Sequence, residues 1–402
     1  MVRNPPPTRG VRLAVAKCAT PPAFGFWRGL DPGEAARIGS DDRPFRSKSK
    51  VIATMSTRTL WVTALSITIT IFTLQSALAC TRILWNNNKL AVLSSRTMDW
   101  PESTEPVLTV LPRGMQRDGG KLGAATIVAD SPARWRSKYG SIVVTVYGIG
   151  TADGLNERGL AGHLLYLTAS DYGARDASKP GLNAGLWLQY VLDNAADVAE
   201  ALQLLEGVQI VDAEARGRKA TVHLAIEDVS GDSAIIEHIH GKPVVHHGRE
   251  YRVMTNDPPY DEQLALLQRM DFSKPSSDMP LPGNVNPRDR FQRASYYLGM
   301  LPEPRTEREA VAGVLAIARN VSVPFGSPYK GFGIYNTEYR TSIDLTNRRY
   351  FFELTTSPNV VWAELKRFDL SPGAPVMLFD PNRIEFSGDV SRHFTKAAQA
   401  PF

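Results

Sequence analysis

The 402-residue sequence predicts an α+β protein built of stacked layers, and three observations carry that reading. Strand-like runs come in groups, and two helical blocks separate the groups, giving the order strands, helices, strands, helices, strands. Grouped strands favour antiparallel sheets packed under helices over a doubly wound parallel sheet, in which strands and helices alternate one by one. The composition, 43% hydrophobic and 22% charged, is that of a chain able to bury a core.

Taken in order, residues 81–85 and 90–95 are apolar runs separated by Asn86-Asn87-Asn88-Lys89, a hairpin signature. Strand-like runs follow at 107–112, 141–147 and 160–167, the last two flanking a glycine-rich turn region with Gly154 and Gly159. Residues 184–194 and 197–206 read as helices. Val198, Leu202 and Leu205 fall at helical spacing, and Gly207 stands at a C-terminal position. Strands resume at 221–226, 233–240 and 243–247. In the first of these, Val222, Leu224 and Ile226 alternate with His223 and Ala225, the pattern of a half-buried strand. A second helical block covers about 261–320, with Thr306 and Glu309 spaced as a capping box. Residues 341–345, 350–354 and 360–365 read as closing strands. There is no internal repeat and no linker that splits 80–402, so this span is expected to be one domain.

The charge is unevenly distributed. The whole chain has 46 basic and 41 acidic residues, but residues 1–79 hold 11 of the basic and 4 of the acidic ones. The remainder is slightly acidic, which removes any compositional case for a nucleic-acid partner. Residues 55–79 read as a secretory signal. Arg58 supplies the positive end, 60–74 is apolar and uncharged, and Ala77-Leu78-Ala79 supplies a small-x-small cleavage site. The apolar stretch is short of the ~20 residues a membrane span needs. The expected location is therefore periplasmic or secreted, with no membrane insertion after cleavage before Cys80. Residues 1–54, rich in proline and arginine, read as an over-extended start ahead of Met55 or as a disordered extension.

Cleavage there would leave Cys80 as the sole thiol, since Cys18 lies in the leader. An unpaired cysteine in an exported protein is a candidate reactive thiol. At the first position its thiol and its α-amino group share one residue. An α-amine with a pKa of about 7.7–8.0 can take the proton of a thiol with a pKa of about 8.5. The competing reading is a lipid anchor on Cys80 in a periplasmic lipoprotein or binding module. Lipoprotein sites usually carry Leu three residues earlier, where this chain has Ala77. A hairpin brings its outer ends together, so Arg96 and Asp99 are expected beside Cys80; a surface ion pair is the alternative there.

Several separated motifs then carry a family resemblance. They are Cys80-Thr81-Arg82, Ser95 to Trp100 (SRTMDW), Ala152 to Leu160 (ADGLNERGL), Val253 to Pro258 (VMTNDP), and Leu281-Pro282-Gly283 leading to Asp289-Arg290-Phe291. In this order the sequence resembles the choloylglycine hydrolase and penicillin V acylase family of N-terminal-nucleophile hydrolases, across essentially all of 80–402. The resemblance implies a four-layer αββα sandwich and hydrolysis of a linear amide through an acyl-enzyme on Cys80. It implies that Asp99 holds the amine, that Arg96 and Arg290 lie near the thiol and favour its thiolate, and that Asn256 and the backbone N–H of Tyr166 face the oxyanion. Asn156 sits in a motif but reads as a turn residue.

The resemblance also implies no cofactor, a small N-acyl amide as substrate and a homotetramer. Trp100 and Tyr166 are expected to form an aromatic wall for a phenoxyacetyl or fatty acyl group, with core packing as the alternative. By the resemblance, an aromatic residue at 166 points to penicillin V acylases rather than bile-salt hydrolases. The signal and the Met98-Asp99-Trp100 motif are similar to exported Gram-negative members, which are associated with N-acyl homoserine lactones as well as penicillin V. A quorum-quenching role is therefore expected, with conjugated bile salt hydrolysis as the alternative. Two other constellations carry less. His238, His240, His246 and His247 invite a metal, but a third converging ligand and a glutamate base are not evident, so strand histidines are the preferred reading. His163 lies near Tyr166 in sequence but no papain-like signature surrounds Cys80.

Overall fold

The computed structural model describes residues 80–329 and 333–402. The readings of 1–54 and 55–79 lie outside the described residues. In chain order the principal elements are β1 (Thr81–Trp85), β2 (Leu93–Trp100), β3 (Val107–Leu111), β4 (Ser141–Val146), β5 (Gly150–Asn156) and β6 (Ala161–Tyr166). Helices α1 (Trp187–Asn194) and α2 (Val198–Leu205) follow, then β7 (Val222–Glu227), β8 (Ser233–Ile239), β9 (Lys242–His247) and β10 (Val253–Thr255). Helices α3 (Tyr260–Leu267), α4 (Pro287–Met300) and α5 (Glu307–Asn320) precede β11 (Gly333–Asp344), β12 (Arg349–Leu354), β13 (Val361–Glu364), β14 (Met377–Phe379), β15 (Gly388–Asp389) and β16 (Thr395–Lys396).

These strands form two large sheets. The first runs β10-β1-β2-β11-β12-β13-β15, and the second runs β9-β8-β7-β6-β5-β4-β3-β14-β16. Neighbours are antiparallel throughout except β13 and β15. Helix α1 packs on β5 and β6, while α4 and α5 pack on β1, β2, β10 and β11. The result is the expected αββα sandwich. One core cluster fills the space between the sheets and under α4 and α5; a second lies between the second sheet and α1–α2.

Local sequence explains the helix starts. Asp197 accepts the Glu200 N–H at 2.8 Å, Asn286 accepts the Asp289 N–H at 3.0 Å ahead of Pro287, and Thr306 accepts the Glu309 N–H at 3.1 Å. The Glu309 carboxylate reaches back to the Arg305 N–H rather than to that of Thr306, so the expected capping box is closed one residue early. Val311, Val314, Leu315 and Ala318 then bury one face of α5 against the first sheet, each large side chain worth about 1.5–3 kcal/mol.

Several sequence expectations shift. The second hairpin strand starts at Leu93 rather than residue 90 and runs on to Trp100, so Arg96–Asp99 lie within it. Gly154 is a strand residue, not a turn: a Cβ there would sit 2.5 Å from Val143 and 3.0 Å from Leu192 of α1, so glycine lets helix and sheet close. Gly159 does make the turn, with φ +88°. Strand β7 is buried on both faces from His223 onward, because helices cover one side of its sheet and the other sheet covers the opposite side. Gly207 follows α2 without a left-handed φ.

Candidate active site

The first hairpin builds the centre of the site. Register pairs Thr81 with Thr97 and Arg82 with Arg96, which sets Cys80 across from Met98. Cys80 is 2% exposed, and its Sγ lies 4.0 Å from both Met98 Sδ and the Asp99 carbonyl oxygen. Arg96 points its Nη2 at the Cys80 Sγ, 3.3 Å away, and donates from Nη1 to the carbonyls of Ala152 (3.1 Å) and Leu164 (3.2 Å) on the second sheet. Arg96 therefore spans the two layers beneath the sulfur. In the full chain the Cys80 nitrogen is a peptide N–H, and it donates to Asn256 Oδ1.

A register shift between Met98 and Asp99 against β11 places Asp99 opposite Thr337. The Asp99 carboxylate accepts from Thr97 Oγ1 (2.8 Å), from Arg290 Nη1 (3.1 Å) and from the Thr337 hydroxyl. Arg290, on α4, also donates to the Thr81 hydroxyl and, through Nε, to the Val285 carbonyl at 2.9 Å. Arg290 makes its hydrogen bonds with Asp99 and Thr81, and its charge also acts on the thiol, pulling it down. In the uncleaved chain the Cys80 nitrogen is bonded to Asn256. Asp99 is fully buried, and its three donors compensate the charge that burial would otherwise expose.

Both arginines act on the thiol in the expected direction, against burial. Burial pushes the Cys80 thiol up, and Arg96 and Arg290, which pull it down, do not fully offset this; Asp99 adds to the rise. Before cleavage the net effect thus favours the thiol over the thiolate. Burial likewise raises Asp99 above the usual carboxylate range, against the pull of Arg290 and the two threonine hydroxyls.

Asn256 follows β10 and donates its Nδ2 to the Tyr166 carbonyl at 2.5 Å. Leu167 N–H bonds Thr221 O, so by the antiparallel alternation the Tyr166 N–H faces the other edge of β6, where pairing with β5 has ended at His163. Asp257 fixes this junction, accepting from Thr168 N (3.1 Å) and Thr168 Oγ1 (2.9 Å).

An open pocket of about 140 Å³ leads to the sulfur. Met98, Leu164, Val146, Ile149 and Leu122 give it apolar walls. Trp100 and Tyr166 both line it, ring centroids 6.3 Å apart at 63°, and both also pack against the small cluster of Val323 and Tyr335. Trp100 Nε1 donates to Tyr147 Oη at 2.7 Å, and the Tyr147 hydroxyl donates to Glu102 at 3.0 Å. A short hairpin, Glu214–Ala215 with Arg218–Lys219, contributes further lining.

The remaining candidates fall elsewhere. His163 bonds Glu227 Oε1 (2.8 Å) and Ser94 Oγ (3.1 Å) between the sheets. His238 packs on Tyr172 and Trp187, His246 on Tyr251 and Tyr260, and His247 bonds Asp232. His240 does not share a strand face with His238, because β8 ends at Ile239 and His240 takes a left-handed φ of 52°. Asn156 holds backbone, bonding the carbonyls of Leu192 and Ala195 and the N–H groups of Arg158 and Leu160. Sequence reasoning did not single out Thr337, Thr81 or Asp153. Asp153 stands inside a quoted motif, but nothing local to Thr337 links it to a carboxylate 238 positions earlier.

The family described as linear amide C–N hydrolases, choloylglycine hydrolase family, matches residues 80–380. The chain belongs to this family. A penicillin V acylase of Pectobacterium atrosepticum is 36% identical over 372 residues, covering 85% of this chain and 96% of that protein. The solved structure of a penicillin V acylase from Agrobacterium tumefaciens is 40% identical with a TM-score of 0.71, covering 80% of this chain and 98% of that one. A conjugated bile acid hydrolase mutant from Clostridium perfringens, 21% identical with a TM-score of 0.65 over 77% of this chain and 98% of its own, shares the fold. This protein is thus a linear amide C–N hydrolase of penicillin V acylase-like type.

Proposed function

We propose that the chain is exported, is cleaved between Ala79 and Cys80, and hydrolyses N-acyl amides such as penicillin V and N-acyl homoserine lactones. The carrying observation is a buried thiol at the head of an apolar pocket, with Arg96 Nη2 3.3 Å from its sulfur and Asn256 on its nitrogen. Cleavage turns that nitrogen into an amine, which takes the thiol proton. The thiolate attacks the amide carbonyl, and the developing oxyanion is met by the Asn256 side chain and the Tyr166 N–H. The tetrahedral intermediate collapses as the leaving nitrogen takes the proton, giving a thioester and a free amine. Water then releases the acid and restores Cys80. Asp99, held by Thr97, Thr337 and Arg290, orients the new ammonium, and Trp100 and Tyr166 receive the acyl group.

Leader cleavage and export rest on the sequence pattern before Cys80. The 85% share matched by the Pectobacterium protein is also larger than residues 80–402 alone make up. The lipid-anchor reading is weakened by burial, because a cysteine 2% exposed is not placed to carry acyl chains into a bilayer. A quorum-quenching role and a homotetramer belong to the same proposal.

The test is a hydrolysis panel on protein beginning at Cys80, with Cys80→Ala as control and the N-terminal mass recorded. It holds penicillin V, long- and short-chain N-acyl homoserine lactones, and glycocholate. Turnover of the first two classes that vanishes in Cys80→Ala is expected. Preference for glycocholate would replace this reading with bile-salt hydrolysis, and activity surviving in Cys80→Ala would remove the mechanism.

A further inference from the structure

Between the sheets lies a group of buried charges that the chemistry does not touch. Asp153 on β5 sits with its Oδ2 3.5 Å from Arg96 Nε. The same oxygen accepts from Thr341 Oγ1 at 3.1 Å, the other accepts from the Tyr350 hydroxyl, and His163 Nδ1 is 4.0 Å away. Arg96, Asp153, His163, Thr341 and Tyr350 are each 0% exposed. Among the described residues, Asp153 is the one carboxylate within ion-pair distance of Arg96.

A guanidinium is a rigid plane of five N–H groups, so fixing one edge aims the other. The Nε edge of Arg96 meets Asp153 and the Thr97 carbonyl (3.3 Å), Nη1 meets the Ala152 and Leu164 carbonyls, and Nη2 is left on the Cys80 sulfur (3.3 Å) and the neighbouring Met98 Sδ (3.4 Å). The carbonyls supply no countercharge. A fully buried cation without one would be strongly disfavoured. Asp153 supplies that charge, and Tyr350 and Thr341 from the opposite sheet fix its direction.

We infer that Asp153 is a positioning residue for the reaction, holding Arg96 so that its Nη2 bears on the Cys80 sulfur. This rests on Cys80 being the nucleophile. The groups facing the thiol are Arg96 and Asp99 on β2, Arg290 on α4, Tyr335 and Tyr339 on β11, and Tyr329. Those facing Asp153 are Arg96, His163, Tyr339 and Tyr350. As a bare negative charge Asp153 disfavours the thiolate, and its loss would lower the thiol midpoint. As an anchor it keeps Arg96 on the sulfur, and its loss raises the midpoint. The sign of the change separates the two.

The experiment uses Asp153→Asn in protein beginning at Cys80, measuring kcat and KM on one amide and the pH dependence of Cys80 alkylation by iodoacetamide. The expected kcat falls about tenfold to a hundredfold, as for a misplaced catalytic group, with KM within about threefold and the alkylation midpoint moving up. In an Arg96→Lys background, Asp153→Asn costs no further kcat. Tyr350→Phe, which keeps the charge and removes one donor, gives a smaller change in the same directions and stands in should Asp153→Asn fail to fold. Unchanged kcat and midpoint, a midpoint that falls while kcat holds, or a full additive loss on Arg96→Lys would each overturn the inference. A dead Cys80→Ala beside a wild-type-like Asp153→Asn sinks the positioning role alone; an active Cys80→Ala sinks the proposed function itself.

Discussion

Glu227→Gln is expected to cost much of the stability of this domain while changing a single atom type. Glu227 on β7 and Arg82 on β1 join the two sheets through Nη2–Oε2 at 2.6 Å and Nε–Oε2 at 3.2 Å, both side chains fully buried. Burial pushes Glu227 up, but the Arg82 guanidinium and His163 outweigh it and hold the carboxyl far below its usual range. The glutamine keeps the shape and removes the charge. Arg82 then retains the Tyr251 carbonyl (2.8 Å), Ser233 Oγ (2.9 Å) and a neutral amide oxygen as partners, none of which carries a countercharge. Leaving one buried charge uncompensated costs about 3–5 kcal/mol. At about 2 °C per kcal/mol for a domain of this size, the melting temperature falls by roughly 6–10 °C. The sign with pH follows from the depressed carboxyl: its contribution is complete above the unfolded carboxyl range of about 4.3 and is lost as pH falls towards the folded value. Urea unfolding of wild type and variant at pH 7 and in steps below pH 5 measures this. The gap is full at pH 7 and narrows only below about pH 4.5. A gap under about 1 kcal/mol at pH 7, or one that closes between pH 8 and 6, would refute the reasoning. Arg82→Met with Glu227→Leu is expected to recover most of the loss, because the apolar pair leaves no charge behind.

Two further predictions concern residues away from the sulfur. Asn156→Ala removes donors from two buried carbonyls and an acceptor from two N–H groups; thermal unfolding should show a loss of about 2–4 kcal/mol, with kcat unchanged for the folded fraction. Burial against Tyr172 and Trp187 lowers His238 to about 4. The stability linked to it is present above the unfolded histidine value of about 6.5 and is lost as pH falls through about 4. An NMR histidine titration placing its midpoint above pH 6 would contradict this.

The strand and helix blocks were legible because periodicity and caps are local. Thr306, Asp197 and the 81–85 run each announce their element within a few residues. Cys80, Arg96, Trp100 and Asn256 stand in motifs, Tyr166 enters only through the family resemblance, and the hairpin register brings Arg96 to the thiol. What stayed hidden was which distant elements become neighbours. Alternation in β7 reads as one wet face, and only the pairing of β7 with β8 and the layers over both faces reveal that His223 is buried against Glu237. The placement of Arg290 on Asp99 depends on how α4 lies over the first sheet. Thr337 reaches Asp99 only because β11 inserts beside β2, a neighbour that no local spacing specifies.

That insertion makes the site depend on both ends of the domain. The strand bearing Arg96 and Asp99 is completed by one whose Thr337 lies 238 positions further along the chain. A growing polypeptide therefore has its thiol from the start but lacks the wall that orders the carboxylate until most of its length has emerged. Contacts of such long sequence separation form late in folding. A chain that stops short of β11 has the thiol and the carboxylate but lacks the hydroxyl and the neighbouring strand that fix the carboxylate's direction.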